Sequence, residues 1–232
     1  SAADNLLREG IPGERIRFVG NVMIDSLLRH RQRAITPRDT LIRAGLPPER
    51  IEGDAGFGVV TLHRPSNVDD VLALREALSV VGEVARRLPL VWPMHPRARA
   101  NIEGFGLSTL LDDSAITLLP PQGYLEMLGL MANARLVLTD SGGIQEETTA
   151  LAIPCLTMRE NTERPITVAQ GTNTLVGRNL EQTLACVDAI FTSGGKSSRV
   201  PELWDGHAAE RIASDLSAWL RLTQECAEVV DA

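Results

Sequence analysis

The sequence is poor in the residues and runs that mark several large classes of protein. Its three cysteines, Cys155, Cys186 and Cys226, are odd in number and lie 31 and 40 residues apart. They form no CxxC or CxxxC pair, so the spacing offers no zinc or redox centre, and they read as buried or incidental thiols. No stretch reaches the roughly 20 consecutive apolar residues of a membrane helix. Ser1-Ala2-Ala3-Asp4 lacks the basic and apolar regions of a secretory leader, so a cytoplasmic protein without a membrane partner is expected. Positive charge is also scarce: 23 Lys and Arg against 30 Asp and Glu leave −7 at neutral pH. The longest basic grouping, Arg29 to Arg33, reads as a solvated helix end, and nucleic acid is not an expected partner. HExxH, GxSxG and the P-loop lysine pattern are missing, which removes motif support for metalloprotease, α/β-hydrolase and Walker-type NTPase activity. No metal ion and no cofactor are expected, and neither an internal repeat nor a low-complexity tract is present.

What is there is an ordinary globular composition, 44% hydrophobic and 23% charged over 232 residues. That is enough for one large domain over 1–232 that buries most of its core. Asn5 to Gly10 reads as the last turns of a helix already under way, so a longer parent chain is expected. The pattern then predicts a strand over Arg15 to Gly20, a helix from Val22 that fades near Thr36-Pro37, and a second helix to Gly45. Gly58 to His63 is a continuous apolar run closed by Arg64-Pro65, the pattern of a strand covered on both faces of a parallel sheet. From Asp69 to Leu88, apolar residues recur every three or four positions, at Val71, Leu74, Leu78, Val81, Ala85 and Leu88, giving one stripe on a long helix.

The alternation continues with strands at Leu90 to Met94, Ile116 to Leu119, Leu136 to Thr139, Pro154 to Thr157 and Thr174 to Val176. Between and after them lie a short helix from Pro96 and helices over Gln122 to Ala134, Gly142 to Leu151 and Leu180 to Phe191. Arg159 to Gly171 is expected to be irregular, and a final helix runs from about His207 to Leu220. Five or six such strand–helix units predict an α/β fold with a doubly wound parallel sheet and right-handed crossovers.

Ligands in such sheets sit outside the carboxyl ends of the strands. Those ends read His63-Arg64-Pro65-Ser66-Asn67, His95-Pro96-Arg97, Pro120-Pro121-Gln122, Asp140-Ser141-Gly142-Gly143, and Met158-Arg159-Glu160 followed by Thr162-Glu163-Arg164-Pro165. The sharpest signal is Asp140 to Glu147, where a strand passes through a serine and two glycines straight into a helix. Two glycines in a first helical turn cost roughly 2 kcal/mol against alanine. Backbone able to approach an anion closely, at the positive end of a helix, explains them as a phosphate site. A tight turn capped by Ser141 or Asp140 also fits. Glu147 stands one and a half turns in, within reach of ribose hydroxyls beyond such a phosphate, although composition alone favours a solvated or dipole-pairing acid. Arg164 suits phosphate or a surface charge. His63 and His95, at successive strand ends, suit diphosphate donors or structural histidines.

Taken together, Phe18 to Asp25, Thr61 to Asp69, Asp140 to Glu147 and Arg159 to Pro165 resemble, in order and spacing, the bacterial non-hydrolysing UDP-N-acetylglucosamine 2-epimerases. The resemblance runs from about Asn5 to Leu220. It implies the C-terminal half of a glycosyltransferase-B-like fold of two Rossmann-like halves, with about 1–20 as the tail of the connection and about 206–232 as a terminal helix. It implies further that Ser141, Gly142 and Gly143 hold the diphosphate of UDP, that Glu147 takes the ribose, and that Arg164 and His63 are further UDP ligands, His63 being also the one candidate for acid–base work. Arg64 and His95 match positions that bind a second UDP-N-acetylglucosamine as an allosteric activator in regulated members. Ile166 stands where many members have glutamate, and Pro96-Arg97 where Pro-Asn is commoner. The expected partners are UDP, a UDP-N-acetylhexosamine, the N-terminal half and, in the full-length protein, a second copy as a homodimer. A glycosyltransferase donor domain and a non-catalytic UDP-sugar-binding module are the competing readings. Val22, Leu27, Leu28, Trp204, Trp219 and Leu220 are expected to need cover from the other half.

Overall fold

A computed structural model describes residues 2–111 and 115–230, without the side chains of 222–230; the side chain of Cys226 therefore lies outside the described residues. In chain order the helices are α1 (Ala2–Arg8), α2 (Val22–Arg31), α3 (Pro37–Arg43), α4 (Pro65–Val68), α5 (Val71–Ala85), α6 (Pro96–Gly104), α7 (Tyr124–Ala132), α8 (Gly142–Leu151), α9 (Pro165–Ala169), α10 (Leu180–Ser193) and α11 (Ala208–Val230). The strands are β1 (Gly58–Thr61), β2 (Leu90–Pro93), β3 (Ile116–Leu119), β4 (Leu136–Thr139), β5 (Cys155–Thr157) and β6 (Asn173–Leu175). Contacts divide the chain into two compact units, Ser1–Arg29 with Pro201–Ala232, and His30–Val200, where the sequence suggests one domain over 1–232.

The larger unit carries one six-stranded sheet in the order β3-β2-β1-β4-β5-β6, every pair parallel. Strands that are β-branched and apolar and have no polar face can be stable only with helices on both sides. Alternate residues of the sheet, Val60, Leu90, Trp92, Leu136, Leu138 and Leu156, join Leu74, Leu78 and Val81 of α5 and Val187 and Ile190 of α10 in one buried core. The stripe on α5 is wider than its spacing suggests. Ala77, Val80 and Val84 are buried as well, whereas Val71, in the first turn, is exposed. Asp70 caps this helix, accepting from the N–H groups of Leu72 and Ala73 at 3.0 and 2.9 Å, a contact worth about 1 kcal/mol. Order reverses between β1 and β4, so the ligand crevice of this topology opens above those two strands.

In the smaller unit Asp25 of α2 caps α11 from a distance, accepting from the N–H groups of Ala208 and Ala209 at 3.1 and 2.7 Å. Arg17 pairs with Asp215 at 3.1 Å. The strand expected over Arg15 to Gly20 is not formed: Gly13–Arg15 is a 3-10 turn and the following residues are irregular. β-Branched propensity makes a strand only where a partner strand offers a ladder, and Phe18 is 60% exposed. The expected need for cover also divides. Leu27 and Trp204 are already buried and Leu28 half-buried, while Val22, Trp219 and Leu220 remain exposed. In the stretch expected to be irregular, Pro165 opens the five-residue helix α9, too short to show a period.

Candidate functional site

The rim above β1 and β4 is organised by a carboxylate to which the sequence gives only a capping role. Asp140 follows β4 and is fully buried. It accepts hydrogen bonds from the backbone N–H groups of His63 at 3.1 Å and Arg64 at 2.9 Å, and from Asn67 Nδ2 at 3.1 Å. His63 Nδ1 lies 3.0 Å from its Oδ1. Burial alone would raise the Asp140 carboxyl, but the bonds from His63, Arg64 and Asn67 outweigh it and hold the group below its ordinary value. The acid is therefore an oriented anion that fixes the end of β1.

Ser141 occupies the N-cap position of α8, yet its side chain makes no cap bond; its own N–H is drawn to Thr139 Oγ1 at 3.0 Å. Asp140 is turned to His63, so neither candidate cap serves the helix. The N–H groups at the start of α8 have no side-chain cap, unlike those of α5 and α10. A Cβ at Gly142 would meet only the tips of Arg64 and Glu163, each at 3.9 Å. The fold itself does not require glycine there. Glu163 links the Arg64 tip to a second guanidinium, that of Arg159. Arg159 holds Glu163 through two bonds of 2.7 and 2.9 Å, and Arg64 reaches Glu163 at 4.0 Å. The bond to Arg159 draws the Glu163 carboxyl down to about 2.

His63, His95, Gln122, Met127, Ser141 and Ile144 line a hollow of about 220 Å³ beside this helix end. The rings of His63 and His95 are 5.7 Å apart. His95 caps α6, its Nδ1 accepting from the Arg97 N–H at 3.1 Å, while the Arg97 side chain is taken up by Asp69. Arg164 pairs with Glu146 at 3.0 Å. Glu147 is not a solvated acid. It is buried, burial raises its carboxyl, and a hydrogen bond from Tyr124 partly offsets that effect. Beneath these groups Gln145 Oε1 accepts from Thr162 at 2.6 Å and from Asn173 at 3.0 Å, tying α8 to the Thr162-Glu163-Arg164-Pro165 turn and to β6.

The structure thus brings His63, His95, Ser141 and Gln122 to one hollow, places Arg64 beside Gly142, and sets Arg164 and Glu147 on or beside α8. Asn67, Tyr124, Arg159 and Glu163 join the site without having been assigned roles from sequence. Asn67, Arg159 and Glu163 lie in strand-end segments that also carry the resemblance, whereas Tyr124, the first residue of α7, has no such signal. Among the described residues no group of three or more His, Cys, Asp and Glu could hold a metal ion, and no described helix is long and apolar enough to cross a membrane.

Residues 1–217 match the family model described as UDP-N-acetylglucosamine 2-epimerase. The chain belongs to the UDP-N-acetylglucosamine 2-epimerase family. It is 36% identical over 219 residues to the UDP-N-acetylglucosamine 2-epimerase of Methanocaldococcus jannaschii, covering 93% of this chain and 58% of that protein. It is 38% identical over 221 residues to the UDP-2,3-diacetamido-2,3-dideoxy-D-glucuronate 2-epimerase of Pseudomonas aeruginosa, covering 93% and 57%. A solved structure of the M. jannaschii UDP-GlcNAc 2-epimerase in complex with UDP-GlcNAc and UDP matches with a TM-score of 0.76 at 34% identity, covering 94% of this chain and 59% of that one. The chain therefore spans less than two thirds of the length of these epimerase relatives, and its parallel six-stranded sheet corresponds to part of their two-domain fold.

Proposed function

We propose that this chain supplies the UDP-holding part, the C-terminal half, of an epimerase that interconverts UDP-N-acetylglucosamine and UDP-N-acetylmannosamine. The observation that carries the reading is the start of α8, without a side-chain cap, at the switch point of the sheet. It opens on glycine where the fold has room for a side chain, with Arg64 and the Glu163 carboxylate beside it and Arg159 joined through Glu163. N–H groups without a side-chain cap, the helix dipole and the Arg64 guanidinium suit a diphosphate. Glu147 would accept from the ribose, and Arg164 and His63 complete the UDP contacts. Support for the His63 contact comes from its Nδ1 facing Asp140 while its ring lines the hollow.

Epimerisation at C2 then proceeds by loss of the C2 proton and elimination of UDP to a bound glycal, after which UDP re-adds to C1 on its original face and a proton is returned to the opposite face of C2, carboxylates removing and returning the proton. Those carboxylates belong to the part of the enzyme that this chain does not span. The task left here is electrostatic: the departing UDP is held on fixed donors so that it can return. Arg64 and His95 are the candidates for an activator contact, and the whole enzyme is read as a cytoplasmic homodimer serving cell-surface polysaccharide synthesis. The likeness to the P. aeruginosa protein favours one second reading, an epimerase of a UDP-diacetamido-uronate.

The division of labour is tested by incubating the chain with UDP-N-acetylglucosamine in deuterated water and reading C2 by NMR. No deuterium is expected from the chain alone, because loss of an acid–base partner removes typically 10² to 10⁴ in rate. Incorporation is expected when the N-terminal half is added as a separate chain. Exchange by the chain alone contradicts the assignment, and exchange by the pair only with the uronate substrate establishes the second reading.

A further inference from the structure

One buried amide ties together four strand ends of the candidate site. Asn67 is 1% exposed. Its Nδ2 donates to Asp140 Oδ2 at 3.1 Å and to the Met158 carbonyl at 2.8 Å, while its Oδ1 accepts from Arg178 Nη1 at 3.2 Å. Arg178 is itself held by Glu76 at 2.9 Å. Met158, Arg178 and Asp140 follow β5, β6 and β4, and Asn67 itself follows β1. Two donors and an acceptor are needed on one short side chain, and only an amide supplies them: aspartate has no donor and leucine has neither. The far side of the Asp140 carboxylate faces His63 Nδ1 at 3.0 Å. An ionised carboxylate only accepts, so Nδ1 must carry the proton, leaving Nε2 as the ring nitrogen that can act on a ligand.

We propose that Asn67 is a positioning residue for His63: it orients the Asp140 anion, which fixes the His63 tautomer and so determines what Nε2 offers to the diphosphate. The proposal rests on the reading of His63 as a UDP contact. The experiment uses the full 232-residue chain, with imidazole nitrogen NMR for the tautomer and calorimetric titration for UDP. In the unsubstituted chain His63 is expected to bear its proton on Nδ1. Asn67→Leu, nearly isosteric, should give mixed tautomers and bind UDP about tenfold or more weakly, the loss expected for a charge-assisted hydrogen bond. Adding Asn67→Leu to His63→Gln should then weaken binding little further, since both remove the same contact.

An Nε2–H tautomer in the unsubstituted chain overturns the proposal, as do a retained tautomer in Asn67→Leu or additive losses in the double variant. If His63→Gln alone leaves UDP binding unchanged, the UDP contact fails, while the tautomer measurement still judges Asn67. Should Asn67→Leu not fold, Asn67→Ser, which keeps one donor, takes its place under the same criteria.

Discussion

Glu147 and Asp140 are two buried acids on neighbouring turns of chain with opposite electrostatics, and they make opposite predictions. The Glu147 carboxyl is raised by burial, so ionising it costs stability as pH climbs from the unfolded value of about 4.3 through the higher folded one. Glu147→Gln should therefore raise the melting temperature of the free chain at neutral pH while weakening UDP about ten- to a hundredfold; a lower melting temperature would contradict this balance of terms. The Asp140 carboxyl is lowered despite its burial, because its donors outweigh that cost. Its contribution is fully present above the unfolded value of about 3.9 and is lost as pH falls through the lower folded one. Asp140→Asn turns an amide toward four donors and should cost about 1.5 to 3 kcal/mol or more, flattening the acid limb of the stability curve; denaturant unfolding from pH 3 to 7 checks both. Neither environment was legible in the sequence. Asp140 and Asn67 are separated by 73 positions, and no local pattern records a contact made by the sheet.

Two glycines contrast on adjacent helices. A Cβ at Gly129 of α7 would lie 1.7 Å from the Ile35 carbonyl oxygen, so Gly129→Ala must push α7 from the segment that precedes α3. A loss of about 1 to 3 kcal/mol or more is expected in chemical denaturation. At Gly142 the same change meets nothing closer than 3.9 Å. Gly142→Ala should leave the free chain as stable or stabilise it by up to about 1 kcal/mol, and yet weaken UDP; a destabilised Gly142→Ala would mean that the fold, not a ligand, asks for glycine. Elements with strong periodicity or continuous apolar runs were legible. β3, β4 and α8 fall on their expected residues, because strand and helix there are set by burial and by the strand–turn–helix passage. The Arg15 to Gly20 stretch failed because a strand needs a partner that sequence does not show, and α9 because five residues hold no period.

At the scale of the whole molecule, a doubly wound parallel sheet is readable from the alternation while its strand order is not, and because every pair is parallel the carboxyl ends of the strands lie along one edge of one sheet. The division into two compact units was not readable, since the chain of the smaller one comes from both ends of the sequence. Everything proposed for the rim depends on the first turn of α8 being a diphosphate site. Calorimetric titration of the 232-residue chain with UDP and with uridine tests it most directly. UDP should bind and uridine should be at least about a hundredfold weaker, because the helix end recognises phosphate and not the base. Gly143→Val, which puts a branched side chain where backbone must approach phosphate, should abolish the UDP heat in a chain that still melts cooperatively. Equal binding of UDP and uridine, or UDP binding retained by folded Gly143→Val, would contradict the claim.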